Sequence, residues 1–542
     1  VYGDYTLDSL GLYAAADAST MKGALAFKKV SGGPVRIHRT KADFSFKNKI
    51  ALVQLTVQDS LEKKLAAFSV DADLTTSTTL IHVSPEELIL NSKPWTIPAD
   101  NQVSISDACT VYRHWELSEG SQQLKLENVT TGKPDGLKVN FNGFELSSIS
   151  TILNSNDSLV SGNLNGNLQL TQMKTKPGIE ADISLENLTL LGNELGVLKL
   201  QANNRSGDKY DIDLSLKGDA IDLEAKGAIQ SSAQPSLDVK VDLNRLDMKL
   251  VEGFAPKQLE NSSGSIEAHC EVNGPTSDLK YKGYLAFNNA SVNVSAINAQ
   301  FTLPEDRVEV SNEGLVFKDF NMIDVAGKKF TVDGNVDTRN MLNPAFDLHI
   351  TADNFQVLNS TRDDNDLFYG KAFIDADIKV GGTLSVPRVN ARAKLRKGSD
   401  ITFIVPESQA EIEERKGLVK FANMKDTMNM ILVPEEIEEA ASMSLDLTGY
   451  FEIDRETKFQ IIIDERSGDK IRIEGEAKLN VEITPNGIMT LSGNYEVASG
   501  SYNMNFYGLA KRKFELVSGS RIVWTGDPLR GELDLAAKYN IK

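Results

Sequence analysis

The residues of this chain best suited to chemistry are few and scattered. Five histidines (His38, His82, His114, His269 and His349) and two cysteines (Cys109 and Cys270) are spread over 542 residues. Nucleophilic catalysis needs a thiol or hydroxyl within reach of a base, and a third group that orients the base. Only His269 and Cys270 are neighbours, and adjacent residues of a strand point to opposite faces, so that pair is not favoured. There is no G-x-S-x-G elbow and no G-x-x-x-x-G-K-[ST] phosphate loop. The carboxylates of "STRDDNDLFYG" (360–370) are closely spaced but lack the Gly and terminal Glu of a calcium loop, so a solvated turn is expected. The N-x-[ST] triplets at Asn128 and Asn289 read as chance. The chemistry-bearing residues therefore predict no catalytic residue, no metal and no cofactor, and a protein that is not an enzyme.

The elements that carry these residues are more informative. The composition is 41% hydrophobic, 25% charged and 7% aromatic, as in an ordinary globular chain. A net charge of −18 argues against a nucleic-acid groove, which needs a dense basic stripe. It also argues against broad docking on an anionic membrane. A Cys109–Cys270 bridge and two free thiols both fit the sequence, and free thiols are the expectation. No run approaches the ~20 apolar residues of a membrane helix, and no signal peptide is visible. The chain starts on Val1 and stops inside an alternating run, so it is expected to be part of a longer one that continues past Lys542.

The hydrophobic pattern has period two almost throughout. In "KIRIEGEAKLNVEI" (470–483), Ile471, Ile473, Ala477, Leu479, Val481 and Ile483 fall on one face and the charged residues on the other. "SLDVKVDLNRL" repeats this with Leu237, Val239, Val241 and Leu243. Gly, Asn, Asp and Ser turns separate the strands. Helical signals are short, at 144–153 and 248–260, each worth two or three turns. The acidic, Met-rich stretch 411–442 lacks alternation and reads as a mobile insertion or partly helical loop. A long repeat opens on Gly162, Gly264 and Gly370. Each unit of such a repeat exposes apolar surface unless its neighbours continue it.

An amphipathic sheet must bury its apolar face. A chain of Ig-like sandwiches would show linkers and repeating Trp landmarks, but Trp95, Trp115 and Trp524 do not recur with the repeat. A membrane barrel would carry aromatic girdles and few regular charges outside. The expected fold is therefore all-β: an elongated, curled sheet, or open solenoid-like trough, with a hydrophobic groove and few short helices.

The run "YEVASGSYNMNFYGLAKRKFELVSGSRIVWTGDPLRGELDLAAKYNIK" (495–542) resembles the conserved C-terminal region of the TamB family, a component of the translocation and assembly module. The likeness rests on Gly500–Tyr502, on the hairpin from Phe514 to Gly526, on Pro528 and on Leu533–Tyr539. Upstream, "FQIIIDERSGDKIRIEGEAKLNVEI" looks like the form found in Bacteroidota. The likeness is specific over 370–542, looser and AsmA-like over 161–369, and a matter of pattern over 1–160. It implies a β-taco that conducts phospholipid between membranes. It also implies a periplasmic location, an inner-membrane anchor through an N-terminal helix absent from this chain, and an Omp85-class (TamA-like) outer-membrane partner.

Leu237, Val239, Val241, Ile461, Ile463, Ile471, Ile473, Leu479, Val481, Ile483, Phe506 and Leu535 are the candidate groove residues. Leu533, Ala537 and Tyr539 mark an edge that a partner strand could meet. Two other readings stay open. One is a scaffold that offers strand edges to outer-membrane proteins. The other is a surface β-solenoid whose groove is filled by its own side chains.

Overall fold

A computed structural model describes residues 6–17, 19–129, 136–154, 158–172, 178–206, 208–232, 234–340, 343–404, 445–465, 467–506, 510–528 and 530–539. The protein is nearly all β, with large curled antiparallel sheets that do not close into a barrel. It divides into two compact units, residues 1–254 with 266–283 and residues 255–265 with 284–542.

In the first unit, the strands between Thr6 and Arg113 form one sheet. From Trp115–Glu119 to Ser236–Asp247, each strand then pairs antiparallel with the next in sequence. Pairing aligns the apolar positions. Leu117, Leu124, Phe141, Gly166, Ile183, Leu200, Leu214, Ala225 and Val241 are successive cross-strand partners. The neighbouring row on the other face reads Glu116, Lys125, Asn140, Asn167, Asp182, Gln201, Asp213, Lys226 and Lys240. A slip of one residue would carry a whole apolar row to the charged face, so the alternation itself specifies the register. Backbone and side-chain bonds join the sheets of this unit. The Asn128 amide accepts from Tyr112 N–H (3.1 Å) and donates to Tyr112 C=O (2.7 Å). Thr96 and Ser118 exchange backbone bonds of 2.9 Å.

The curl has a local signature. In "FNGF" (141–144), "LENL" (185–188), "FKDF" (317–320) and "ADNF" (352–355), the register shifts by a bulge. The third residue of each, Gly143, Asn187, Asp319 or Asn354, has a φ between 49 and 54°. Short polar residues and Gly tolerate this left-handed conformation best. The fourth residue is buried every time: Phe144, Leu188, Phe320 and Phe355. A bulge bends its strand and increases the local twist, which curves a sheet. The first repeat glycine belongs to the same device. Gly162 has a φ of 142°, and a Cβ there would lie 2.9 Å from Glu186 O, inside the "LENL" bulge of the next strand.

In the second unit the row Phe330, Ala352, Ala376, Ala393, Phe451, Leu479, Gly493 and Trp524 continues strand by strand. One junction departs from the antiparallel pattern. Val386–Leu395 and Asp400–Ile404 both pair parallel with Asp446–Asp464. Parallel neighbours need a crossover of a dozen or more residues, which gives the long connection after Ile404 a topological reason. The insertion expected at 411–442 lies there, outside the described residues.

Three sequence expectations change in detail. The helices are shorter, at Ser147–Ser150 (α1) and Met248–Phe254 (α2). Phe144 is already committed to a bulge, and Pro256 lies just past the end of α2, where its missing N–H opposes continuation. The terminal run 532–542 is not one unbroken strand. Glu532–Asp534 pairs with Arg521–Gly526, and Ala537–Lys538 pairs with Ala510–Leu516. Leu535 lies between the two pieces, outside any strand. The Val517–Ser520 turn causes the break: Ser520 Oγ accepts from Ala536 N–H (3.1 Å), and Ala536 C=O accepts from Val517 N–H (2.8 Å).

Candidate functional site

The candidate site is a face rather than a pocket. Leu237, Val239 and Val241 lie half-buried in the first unit, opposite Ile229, Gly227 and Ala225. Ile461, Ile471, Ile473, Leu479, Val481 and Ile483 lie along two paired strands of the second unit. Ile461 faces Ile471. Ile473 is buried with Ala477, Tyr495 and Val497, and Ile471 and Leu479 pack against that cluster. Val481 and Ile483 are half-buried, and Ile463 is exposed. Phe506 sits opposite Ala510 in the backbone pairing, and its side chain lies outside the described residues.

The last strand extends the same face. Leu533 lies opposite Ile522, which lies opposite Tyr495, and Ala537 lies opposite Leu516. Tyr539 packs on Phe514 at 5.5 Å, with the Arg512 guanidinium 5.7 Å from its ring centre. Leu533 is nonetheless 66% exposed, because this face has no further strand beside it among the described residues. Exposure at the start of the first unit is similar. Leu12, Leu25, Ala42, Leu55 and Phe68 form an apolar row, in which Leu12 is 71% and Leu25 37% exposed.

Elsewhere the protein covers the apolar face with its own side chains. Leu250 of α2 packs on Leu185, Leu188, Leu195 and Leu216. Leu88, Trp95 and Ile97 pack on Leu117 and Phe144. Sequence reasoning missed Trp95 because it lies in no alternating run, and it missed Tyr495 although Met489, Leu491, Gly493, Tyr495 and Val497 alternate with polar residues and mark its face. Burial pushes the Tyr495 hydroxyl far above its ordinary range, with Glu474 adding to the effect.

The charged face holds the titratable residues in pairs. His82 meets Asp71 (3.0 Å), His114 meets Asp100 (2.6 Å) and His349 meets Asp377 (2.9 Å). His269 bonds Asp242 and lies 3.6 Å from Glu271, which Lys240 holds at 2.6 Å. Burial, and then Glu271, raise the Cys270 thiol, so it is a poor nucleophile near neutrality. A hollow of about 680 Å³ opens among Asp375, Asp377, Arg392, Lys394, Tyr450, Glu452 and Asn480.

The 360–370 loop is an organised turn. Asp364 accepts from the Thr361 N–H and hydroxyl and from Asn298 Nδ2. Arg362 joins Asp366 and Glu465. Asn365 caps the N–H groups of Leu367 and Phe368. Those contacts tie the loop down and use Asp364 and Asp366 as structural acceptors.

No curated protein and no solved structure matches the chain. Residues 318–542 match the family model of the TamB C-terminal domain, starting ahead of position 370, where the likeness becomes specific by motif. This family has a role in the translocation and assembly module. Its members are membrane-associated envelope proteins, with TamA-like outer-membrane proteins as suggested partners.

Proposed function

Taking residues 318–542 as a TamB C-terminal domain, we propose that the chain carries phospholipid along the apolar faces of its curled sheets, within a translocation and assembly module. The observation that carries this reading is the apolar row that passes from strand to strand while members such as Leu12, Leu25 and Val53 stay exposed. A phospholipid in water exposes two acyl chains, at a cost on the order of 20 kcal/mol from ~0.8 kcal/mol per CH₂. An apolar face removes most of that cost, and an open seam leaves the head group hydrated. Successive strands offer similar surface, so movement along them needs no strong site and no catalysis. The reading places the chain in the periplasm, held to the inner membrane and meeting an Omp85-class barrel in the outer membrane.

A second reading has its own support. Leu533 and Tyr539 are exposed along the terminal run, and a strand edge can recruit an extended segment of an outer-membrane protein by β-augmentation. One experiment separates the two. A photo-crosslinking side chain at Val481 should capture phospholipid, and mass spectrometry of the purified chain should find bound lipid. Capture of unfolded protein alone would favour the scaffold. Val481→Lys should block lipid movement and leave edge pairing nearly intact.

A further inference from the structure

The apolar face of the first unit is not buried evenly across its width. On Gly178–Leu190, Leu185 and Leu188 are buried, while Ile183 and Ile179 are half-exposed. On Lys209–Lys217, Leu216 is 8% exposed, and Leu214, Ile212 and Tyr210 are half-exposed. On Ile221–Gln230, Leu223 packs against the buried leucines, and Ile229 at the other end is 36% exposed. Pairing puts the open ends side by side: Tyr210 lies opposite Ile229, and Ile229 opposite Leu237.

The buried ends are sealed by the chain itself. Leu250 of α2 packs on Leu185, Leu188, Leu195 and Leu216, and Asn193 Nδ2 donates to Gly253 C=O (3.0 Å). The bulge at Leu185–Leu188 bends its strand at that same end. The second unit carries a parallel case. Phe346, Leu348, Ile350 and Ala352 are half-exposed, and Phe355, past its bulge, is 1% exposed with Phe301 stacked on it at 5.6 Å.

Between its two ends the face forms a lane. Ile179 and Leu185, Tyr210 and Leu216, and Leu237 and Leu243 are each six positions apart, which spans about 20 Å of strand. One leaflet supplies about 15 Å of a bilayer's hydrocarbon core, so an extended acyl chain fits the lane. At the open end Tyr210 offers a ring with a polar tip, which suits the boundary between acyl chain and head group.

We infer that a phospholipid lies across the first unit with its acyl chains parallel to the strands, its tail ends toward Leu185, Leu216 and Leu250, and its head group at the edge marked by Ile179, Tyr210, Ile229 and Leu237. This rests on the lipid reading above and names the seam that reading requires. The reversed orientation would press a charged phosphate among buried leucines, with no partner to offset its desolvation. A chain laid across the strands, along Ile183, Leu200, Leu214, Ala225 and Val241, would set the head group on apolar surface. Each neighbouring strand offers the same lane, so a lipid moves from strand to strand without turning.

The test uses the full chain with vesicles of phosphatidylethanolamine and phosphatidylglycerol. The vesicles carry one of two photoreactive phosphatidylethanolamines, with a diazirine either on the head group or at the end of an acyl chain. Mass spectrometry maps the labelled residues. The head-group probe should label Tyr210, Ile229 and Leu237, and with the tail-end probe labelling should shift to Leu185, Leu216 and Leu250. The reverse pattern, or the same residues labelled by both probes, overturns the orientation and leaves the lipid reading standing. No labelling of this face by either probe overturns both.

Discussion

At the scale of single residues, position along a strand decides environment. Ile473 and Arg472 are adjacent, yet one is buried in an apolar cluster and the other is exposed and paired with Asp400. Placing a charge in that cluster leaves it without a partner. Ile473→Lys should destabilise the second unit by about 3 kcal/mol or more, read as a lower denaturant midpoint. Charge reversal at exposed ion pairs such as Lys240–Glu271 should change stability little, because water already solvates both groups. The two faces also differ chemically. Cys270 has a raised pKa, so its thiolate is scarce at neutral pH. Its alkylation by iodoacetamide at pH 7 should be slower than that of a free thiol in solution and should quicken as pH rises towards the raised pKa. Equal rates would show that the thiol is not desolvated.

At the scale of elements, the bulges and the Gly strands opposite them shape the sheets. Gly162 is the clearest single point: its φ of 142° and the nearby Glu186 carbonyl both exclude a side chain. Gly162→Val should cost about 1–3 kcal/mol through backbone strain, with the melting midpoint of the first unit as the readout. Gly218→Ala, at a negative φ but with Leu195 O 2.4 Å from its Cβ, would separate steric crowding from strain. The last strand depends on a different device. Ser520 Oγ holds Ala536 where the strand is interrupted. Ser520→Ala should remove about 1 kcal/mol of local stability and speed hydrogen exchange at Leu533–Lys538, with no change at Ile471–Ile483.

At the scale of the molecule, apolar surface that would normally be hidden stays in contact with water in each unit. Exposed contiguous apolar surface marks an interaction site rather than a finished core. The native chain should therefore bind a hydrophobic dye such as ANS without unfolding, and phospholipid should displace it. A chain whose faces were filled by its own side chains, as in a closed solenoid, would bind no dye in its native state. The net charge of −18 should also leave the protein indifferent to DNA, checked by mobility shift at low salt.

Alternation alone determined the all-β character and the two faces, because a strand has only two sides and the chain keeps to period two. It also marked the apolar run from Ile471 to Ile483 and the repeat glycines, since Gly is the residue that takes a positive φ without strain. Other features were settled only in three dimensions. The parallel junction at Asp446–Asp464 depends on which strand is adjacent in space, and period two is the same for parallel and antiparallel neighbours. The break at Leu535 depends on Ser520, fifteen positions earlier, reaching across the register. Trp95 is an isolated aromatic in sequence, and its place at the meeting of two apolar faces follows from strands on both sides of it converging there.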